Sequence, residues 1–268
     1  MKILATDLDR TLLPNGKFEP DHHAIELFNR LTLEQNIFVV YVTGRNLHLT
    51  QNAIEEFGVR MPDVLCGDVG TSIRYYREGE WVMDPAWEAH TKAASPRWEA
   101  SAVKDAIADV PGLREQEAEH LNLFKQSYYV EHEQNEEILD AIRQCIEGKY
   151  DETIIYSFDP HNGNGLLDLQ PASATKQTSL EFVADNCGVP REKVVFCGDS
   201  GNDIFPLTAG FAGVMVRNAD EQLVASVQEA MLKNAKIRVY HAKGGFMNLS
   251  GYYTSGVLEG AHHYGLLE

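Results

Sequence analysis

The stretch Lys2-Ile3-Leu4-Ala5-Thr6-Asp7-Leu8-Asp9-Arg10-Thr11 passes from an apolar run into a pair of carboxylates on alternate residues. A short apolar run ended by turn-forming acids reads as a buried strand, with the acids just beyond its carboxyl end. The same junction recurs far along the chain, where Val194-Val195-Phe196-Cys197 leads into Gly198-Asp199-Ser200-Gly201-Asn202-Asp203. Open α/β sheets build a site in the crevice at the carboxyl ends of strands remote in sequence, so both acidic clusters are expected at one place. Carboxylates crowded into one crevice repel each other, and their joint presence calls for a cation between them.

Outward from these junctions the chain reads as alternating strands and helices. Residues 21–35 carry Ile25, Leu27, Phe28 and Leu31 on one helical face; residues 37–42 form a second strand, and a helix through Leu47, Ile54 and Phe57 follows. This βαβα order is the signature of a parallel sheet with crossover helices. Residues 64–67 read as a third strand, and 72–76 with 81–83 as a hairpin about Glu78-Gly79. The pattern then changes. Residues 97–110 read as an amphipathic helix and 121–130 as a strand; residues 135–147 carry Ile138, Leu139, Ile142, Cys145 and Ile146 at helical spacing. Two more strands are read at 153–158 and 166–169. From Lys176 the first rhythm returns, with strands at 194–197 and 212–216 and a closing helix near 257–263. The expected fold is α/β: a Rossmann-like core with a parallel sheet over residues 1–85 and 171–268, interrupted by an α+β insert over 86–170.

At 268 residues, 44% hydrophobic and 24% charged, the chain has the composition of a globular protein with an ample core. Its net charge of −17, from 40 acidic against 23 basic residues, disfavours nucleic acid or an anionic membrane as partner. The 4 cysteines, Cys66, Cys145, Cys187 and Cys197, are scattered without CxxC spacing, which reads as free thiols and not as a zinc site or disulfide. No apolar run approaches membrane-spanning length, and no basic-then-apolar leader precedes the first strand. The expected location is the cytoplasm. The oligomeric state is open, a monomer being the simplest expectation.

Asp7, just past a strand, is placed to attack a phosphoryl group in line and carry it as an aspartyl phosphate. Asp9 can protonate the leaving alkoxide and then activate water. Thr43-Gly44-Arg45 ends the second strand before a helix, where a hydroxyl, a small residue and backbone amides suit a phosphate; a plain Thr helix cap would leave the same pattern. Lys176 opens a helix, a position where the dipole disfavours a cation. That local cost points to a cation held over a phosphoryl group. Asp199 and Asp203, with Asp7, are hard oxygen ligands suited to Mg²⁺, and Ser200 and Asn202 are placed to bond phosphate or orient those ligands.

Taken together, Asp7-x-Asp9-x-Thr11, Thr43 with Gly44, Lys176 and Gly198–Asp203 resemble the haloacid dehalogenase (HAD) superfamily in order, spacing and strand context. The resemblance implies a Mg²⁺-dependent phosphatase with Asp7 as nucleophile. Asp9 would be acid/base and would also meet the metal through its backbone carbonyl. Thr43, Gly44, Arg45, Lys176 and Asn202 would bind phosphate, and Asp199 and Asp203 would serve the metal. The insert falls where the type IIB branch carries its α/β cap. Asp168-Leu169-Gln170-Pro171, Gly213–Ala219, Lys125-Gln126-Ser127-Tyr128 and Gly256–Gly260 resemble the sucrose-phosphate phosphatase group within that branch.

The substrate so implied is a small sugar phosphate, above all a disaccharide phosphate such as sucrose 6-phosphate. Mannosylfructose phosphate, glucosylglycerol phosphate and a phosphomutase outcome are the alternatives. A non-catalytic sugar-phosphate sensor is disfavoured, because Asp7 and Asp9 are both present. Lys125, Gln126, Tyr128, His161, Asn162 and Asn164 are the candidate sugar contacts by type and position, although Asn-Gly pairs are also strong turn signals. Arg10 stands where many relatives carry Gly or Asn, and its side chain is read as facing away.

Overall fold

The computed structural model describes residues 1–159 and 163–268. Ile3–Thr6 forms β1, a strand whose four residues are all buried. Helix α1, Ala24–Glu34, lays Phe28 and Leu31 against the core, and β2, Phe38–Val42, follows. Helix α2, Leu47–Phe57, is started by Asn46, whose side chain accepts from Leu49 N–H, and ended by Gly58 in the left-handed region. Strands β3, Val64–Gly67, β4, Ser72–Arg77, and β5, Glu80–Met83, complete the first half. β4 and β5 meet through Glu78 and Gly79, with φ of 52° and 88°. Two positive φ values in succession are what a tight turn matched to strand twist requires.

The insert begins with helices α3, Pro85–Ala94, and α4, Ala100–Ala106. It continues through β6, Arg114–Glu115, β7, Gln126–Glu131, α5, Asn135–Ile146, β8, Glu152–Asp159, and β9, Asn164–Pro171. The chain then resumes its first rhythm with α6, Lys176–Asn186, β10, Val194–Gly198, α7, Ile204–Thr208, and β11, Ala212–Met215. Helix α8, Glu221–Lys233, β12, Arg238–His241, and α9, Thr254–His263, close it.

Two compact units result: residues 1–84 with 176–268, and residues 85–175. The first holds an 8-stranded sheet in the order β12-β11-β10-β1-β2-β3-β4-β5. Its strands are parallel from β12 through β3, and the β3–β4 and β4–β5 pairings are antiparallel. Residues of β1 pair with both neighbours, Thr6 facing Tyr41 on one side and Cys197 on the other. The strand order reverses at β1, so the segments after β1, β2 and β10 leave the sheet side by side at its switch point. Below them Leu4, Leu65, Val195 and Val214 pack with Phe28 of α1 and Val257 and Leu258 of α9.

The insert is a 4-stranded sheet, β6-β7-β9-β8, antiparallel throughout. Helices α4 and α5 cover one face, setting Val103, Ile138, Ile142 and Ile146 over Tyr128, Val130, Leu167 and Leu169. Ile142 and Ile146 are fully buried, each contributing roughly 1.5–3 kcal/mol relative to exposure.

Several elements differ from the sequence reading. Helix α4 is shorter than 97–110, because residues beyond Ala106 pass into turns ahead of Pro111 and Gly112, whose φ is 84°. Helix α3 has no strong apolar stripe; it buries only Trp87 and Thr91 and starts on Pro85, a residue favoured in a first helical turn. Strand β7 begins five residues later than Leu121, since residues 122–125 form a tight turn closed by Asn122 and Lys125 backbone bonds of 3.2 and 3.1 Å. The second junction falls at 175/176 and not at 170/171. Residues 172–174 remain bonded to the insert, with Ala172 N–H donating to Asp151 O at 2.8 Å and Ser173 Oγ 2.8 Å from Ser95 Oγ. All four cysteines are free.

Candidate active site

Asp7 leaves the end of β1 with its N–H bonded to Cys197 O of β10 at 2.9 Å, so the backbone holds the two acidic junctions together. One oxygen from each of Asp7, Asp199 and Asp203 lies within 4.8 Å of the others, and all three residues are buried. Lys176, the first residue of α6, is 2% exposed and reaches three partners. Its Nζ lies 3.1 Å from Asp7 Oδ1, 2.9 Å from Asp203 Oδ1 and 3.1 Å from Asn202 Oδ1. The apparent conflict with the helix dipole is offset by this direct pairing.

Asp203 turns back on its own loop. Its Oδ2 accepts from Asp199 N–H at 3.0 Å and Ser200 N–H at 3.2 Å. This closure requires glycine at 198, because a Cβ there would stand 2.6 Å from Asp203 Cβ and Cγ. Gly201 meets no such neighbour. Asp199 Oδ1 accepts from Thr11 Oγ1 at 2.9 Å, while Asp199 Oδ2 is buried without an aligned hydrogen bond and lies 3.1 Å from the Arg10 guanidinium.

Asp9 sits on the rim, 43% exposed at its side chain. Arg45 from the end of β2 holds both its oxygens, Nε at 2.8 Å from Oδ2 and Nη2 at 2.6 Å from Oδ1, and Asn15 Nδ2 adds a bond of 2.6 Å. Thr43 is fully buried; its hydroxyl accepts from Arg45 N–H at 3.2 Å. The cap of α2 is Asn46, so Thr43 is not the helix cap that its sequence context also allowed. At Gly44 an added Cβ would find only ordinary contact with Val69, at 3.9 Å.

The electrostatics follow from burial and crowding. Burial pushes Asp7 up to about 7; Lys176 pulls it back, while Asp203 and Asp9 push it further up. Burial likewise raises Asp199 well above the carboxylate range, with Asp203 and Asp7 adding to it and Arg10 and Thr11 opposing. Crowding by its neighbours at the rim desolvates Asp9 and would raise it too, but the Arg45 fork and Asn15 outweigh this and hold the carboxyl below its ordinary value. Burial disfavours the Lys176 ammonium, yet Asp203 and Asp7 keep it firmly protonated. The residues present fit a hard divalent cation on two counts: a buried trio of crowded carboxyl groups that disfavour one another's ionisation, and a buried Asp199 oxygen lacking an aligned donor.

The structure therefore brings Asp7, Lys176, Asn202, Asp199 and Asp203 into one cluster, and joins Asp9 to Arg45 beside it. Arg10 corrects the reading that it faces away. Its φ is 56°, a conformation that Gly and Asn adopt readily, and its guanidinium turns inward to Asp199. Asn15 and Asp220, the latter 3.4 Å from Arg10 Nη2, were not singled out by sequence. Asn218-Ala219-Asp220 follows the strand next to β10, and that strand-end position is the signal that could have found Asp220.

In the insert, Lys125 is 3% exposed, with Nζ 3.7 Å from Asp168 Oδ1, and Ser127 Oγ donates to the same oxygen at 2.5 Å. Tyr128 is a correction: it belongs to the apolar layer under α4 and α5 and packs in the insert's own core. Gln126, two residues earlier on β7, shares that face by strand alternation and is also buried. Asn164 opens β9 opposite Glu131, inside the sheet and not in a turn. His161 and Asn162 lie outside the described residues.

The Rossmann-like sheet gathers an aspartate pair, a buried lysine and a glycine-aspartate loop at its switch point, the arrangement expected of a HAD phosphatase. The chain belongs to the sucrose-6F-phosphate phosphohydrolase family, whose model matches residues 1–265. It is 36% identical to a HAD-like hydrolase of Nitrosococcus oceani over 267 residues, 98% of this chain and 71% of that protein. It is 29% identical to sucrose-phosphatase 1 of Nicotiana tabacum over 231 residues, 83% of this chain and 51% of that protein. The chain thus spans about half the length of that plant relative. Among solved structures, the sucrose-phosphatase of Synechocystis in complex with sucrose and phosphate has the same fold, with a TM-score of 0.80 at 22% identity, covering 98% of this chain and 97% of that one. No helix among the described residues is long and apolar enough to cross a membrane.

Proposed function

We propose that the protein is a Mg²⁺-dependent phosphatase of small sugar phosphates, with a disaccharide phosphate of the sucrose 6-phosphate kind as its substrate. The observation that carries this reading is the placement of Asp7, buried and within reach of Lys176 at 3.1 Å, beside two further buried carboxylates. Membership of the sucrose-6F-phosphate phosphohydrolase family supports the sugar.

Asp7, Asp199 and Asp203 would hold Mg²⁺, with the Asp9 carbonyl as a further ligand. The ion would supply neutralising charge to the carboxylates and to the phosphoryl oxygens. Asp7 attacks phosphorus in line and the bond from phosphorus to the sugar oxygen breaks; for Asp9 to deliver a proton to the departing alkoxide, substrate binding must first loosen the Arg45 fork that keeps it ionised, so that Asp9 takes up that proton from solvent. Asp9 then takes a proton from water, which displaces Asp7 from phosphorus and releases inorganic phosphate. Lys176 and Asn202 bond the transferring group, with the Thr43 hydroxyl and the Thr43-Gly44-Arg45 backbone on its other side. Arg45 serves first to position Asp9, which it already holds.

The insert is assigned the role of cap and the recognition of the sugar, through Lys125 and Asn164 among the described candidates. The four free cysteines suit a reducing compartment, which supports a cytoplasmic location.

The test is a phosphate-release screen with Mg²⁺ over sucrose 6-phosphate, mannosylfructose phosphate, glucosylglycerol phosphate and hexose monophosphates. Free phosphate and free disaccharide are expected, with sucrose 6-phosphate giving the highest kcat/KM. Phosphate reappearing on another hydroxyl would make the protein a mutase instead.

A further inference from the structure

One guanidinium nitrogen, Arg10 Nη2, stands between two carboxylates, 3.1 Å from Asp199 Oδ2 and 3.4 Å from Asp220 Oδ2. Their surroundings differ sharply: the Asp199 side chain is 1% exposed and that of Asp220 46%. Asp199 Oδ2 has no aligned hydrogen-bond donor although it is buried, and it belongs to the trio with Asp7 and Asp203. The Arg10 side chain therefore rests against a candidate metal ligand and beside a half-exposed alternative partner.

The backbone of Arg10 is pinned, and its guanidinium is tethered on the outer side, where Nη2 donates to Asp220 Oδ2 at 3.4 Å. At φ 56° the residue occupies the left-handed region, unfavourable for a long side chain. Its N–H donates to Asn15 Oδ1 at 2.7 Å, and its carbonyl accepts from Asn218 Nδ2 at 2.6 Å. Asn218 Oδ1 in turn accepts from Tyr253 N–H at 2.9 Å, and Tyr253 itself has a φ of 50°. Backbone strain held in place by side-chain bonds marks a position kept for what its side chain does. Here the side chain delivers one positive charge to Asp199.

We propose that Arg10 is a built-in counter-ion that competes with Mg²⁺ for Asp199 and, when the ion binds, gives up Asp199 and is held by Asp220 alone. The inference rests on the metal reading above. The guanidinium offsets part of the repulsion among the three carboxylates. A dication at the same oxygens repels it, and Asp220, to which Nη2 already donates at 3.4 Å, retains it. Arg10 is a positioning residue in this scheme: it touches Asp199 and never the phosphoryl group. Its effect is to weaken metal binding while offsetting repulsion within the cluster.

The test is calorimetric titration of MgCl₂ into the chelator-treated full chain, with wild type, Arg10→Asn, Asp220→Asn and the double variant. Asparagine suits the left-handed backbone, so Arg10→Asn preserves the turn. The expected result is Mg²⁺ binding roughly tenfold tighter in Arg10→Asn, which corresponds to about 1.4 kcal/mol. Asp220→Asn is expected to bind several-fold more weakly, because Arg10 loses its second seat, and to lose most of that effect when Arg10 is already replaced. Equal or weaker Mg²⁺ binding by Arg10→Asn, or an Asp220→Asn penalty of the same size in both backgrounds, would overturn the proposal while leaving the metal reading standing. If wild type and all variants fail to bind Mg²⁺, the metal reading falls and this inference with it. Should Arg10→Asn not fold, Asp220→Asn in the wild-type background still decides: unchanged or tighter binding contradicts the competition.

Discussion

Arg45 grips Asp9 with a two-point fork, Nε 2.8 Å from Oδ2 and Nη2 2.6 Å from Oδ1, joining the end of β2 to the turn after β1. The fork keeps the Asp9 carboxyl below its ordinary value although partial desolvation opposes it. A carboxyl depressed in the folded state contributes stability above its unfolded pKa, and that contribution is lost as pH falls through the folded value. Replacing Arg45 by Met is therefore expected to lower the thermal midpoint at pH 6, with the deficit shrinking toward pH 3. Because Asp9 is also left unaimed, kcat should fall roughly a hundredfold. A deficit that stays constant with pH would show that Arg45 contributes by packing and not through Asp9.

Asp7 and Asp199 carry the opposite shift. Burial raises both, Asp7 to about 7. A carboxyl raised in the folded state favours folding while protonated, so the metal-free chain loses stability as pH climbs from the ordinary carboxylate range through about 7. Mg²⁺ needs these groups ionised, so its binding releases protons and strengthens with pH. The rise in thermal midpoint on adding saturating Mg²⁺ is expected to be larger at pH 8 than at pH 6, and titration heats should vary with the ionisation enthalpy of the buffer. A Mg²⁺ effect that is the same at both pH values, with buffer-independent heats, would contradict the assignment of these carboxylates to the metal.

Both strand-to-acid junctions are legible in the sequence because the signal is local: an apolar run such as Ile3–Thr6 followed at once by Asp7 and Asp9. The hairpin at Glu78-Gly79 is legible for the same reason, its turn residues being written into the chain. What is not legible depends on distant partners. The inward turn of Arg10 is held by Asn15, 5 residues on, and by Asn218, 208 residues on. Strand alternation separates Lys125 and Ser127 from Gln126 and Tyr128, yet only the packing of α4 and α5 decides which face is covered. Helix α3 carries its start signal at Pro85 but buries so little that periodicity does not reveal it.

Gly198 is the narrowest point of the acidic loop. Alanine there would drive a methyl group into Asp203, whose Cγ lies 2.6 Å from the Cβ position, and would break the bonds to Asp199 and Ser200 N–H. Gly198→Ala is expected to cost about 1–3 kcal/mol in urea unfolding and to abolish the Mg²⁺-induced thermal shift. Gly201→Ala meets no neighbour and should keep that shift. Equal behaviour of the two variants would show that Asp203 is not held as described.

Whether Asp7 is the phosphoryl acceptor is tested most directly by phosphate release from sucrose 6-phosphate with Mg²⁺, wild type against Asp7→Asn. Asparagine is nearly isosteric and removes one charge from a crowded, buried cluster, so the variant should fold with an unchanged or higher thermal midpoint when metal-free. Its turnover is predicted to fall by roughly ten-thousandfold or more, as for loss of an enzyme nucleophile. A folded Asp7→Asn protein that releases phosphate at close to the wild-type rate would contradict the mechanism at its first step.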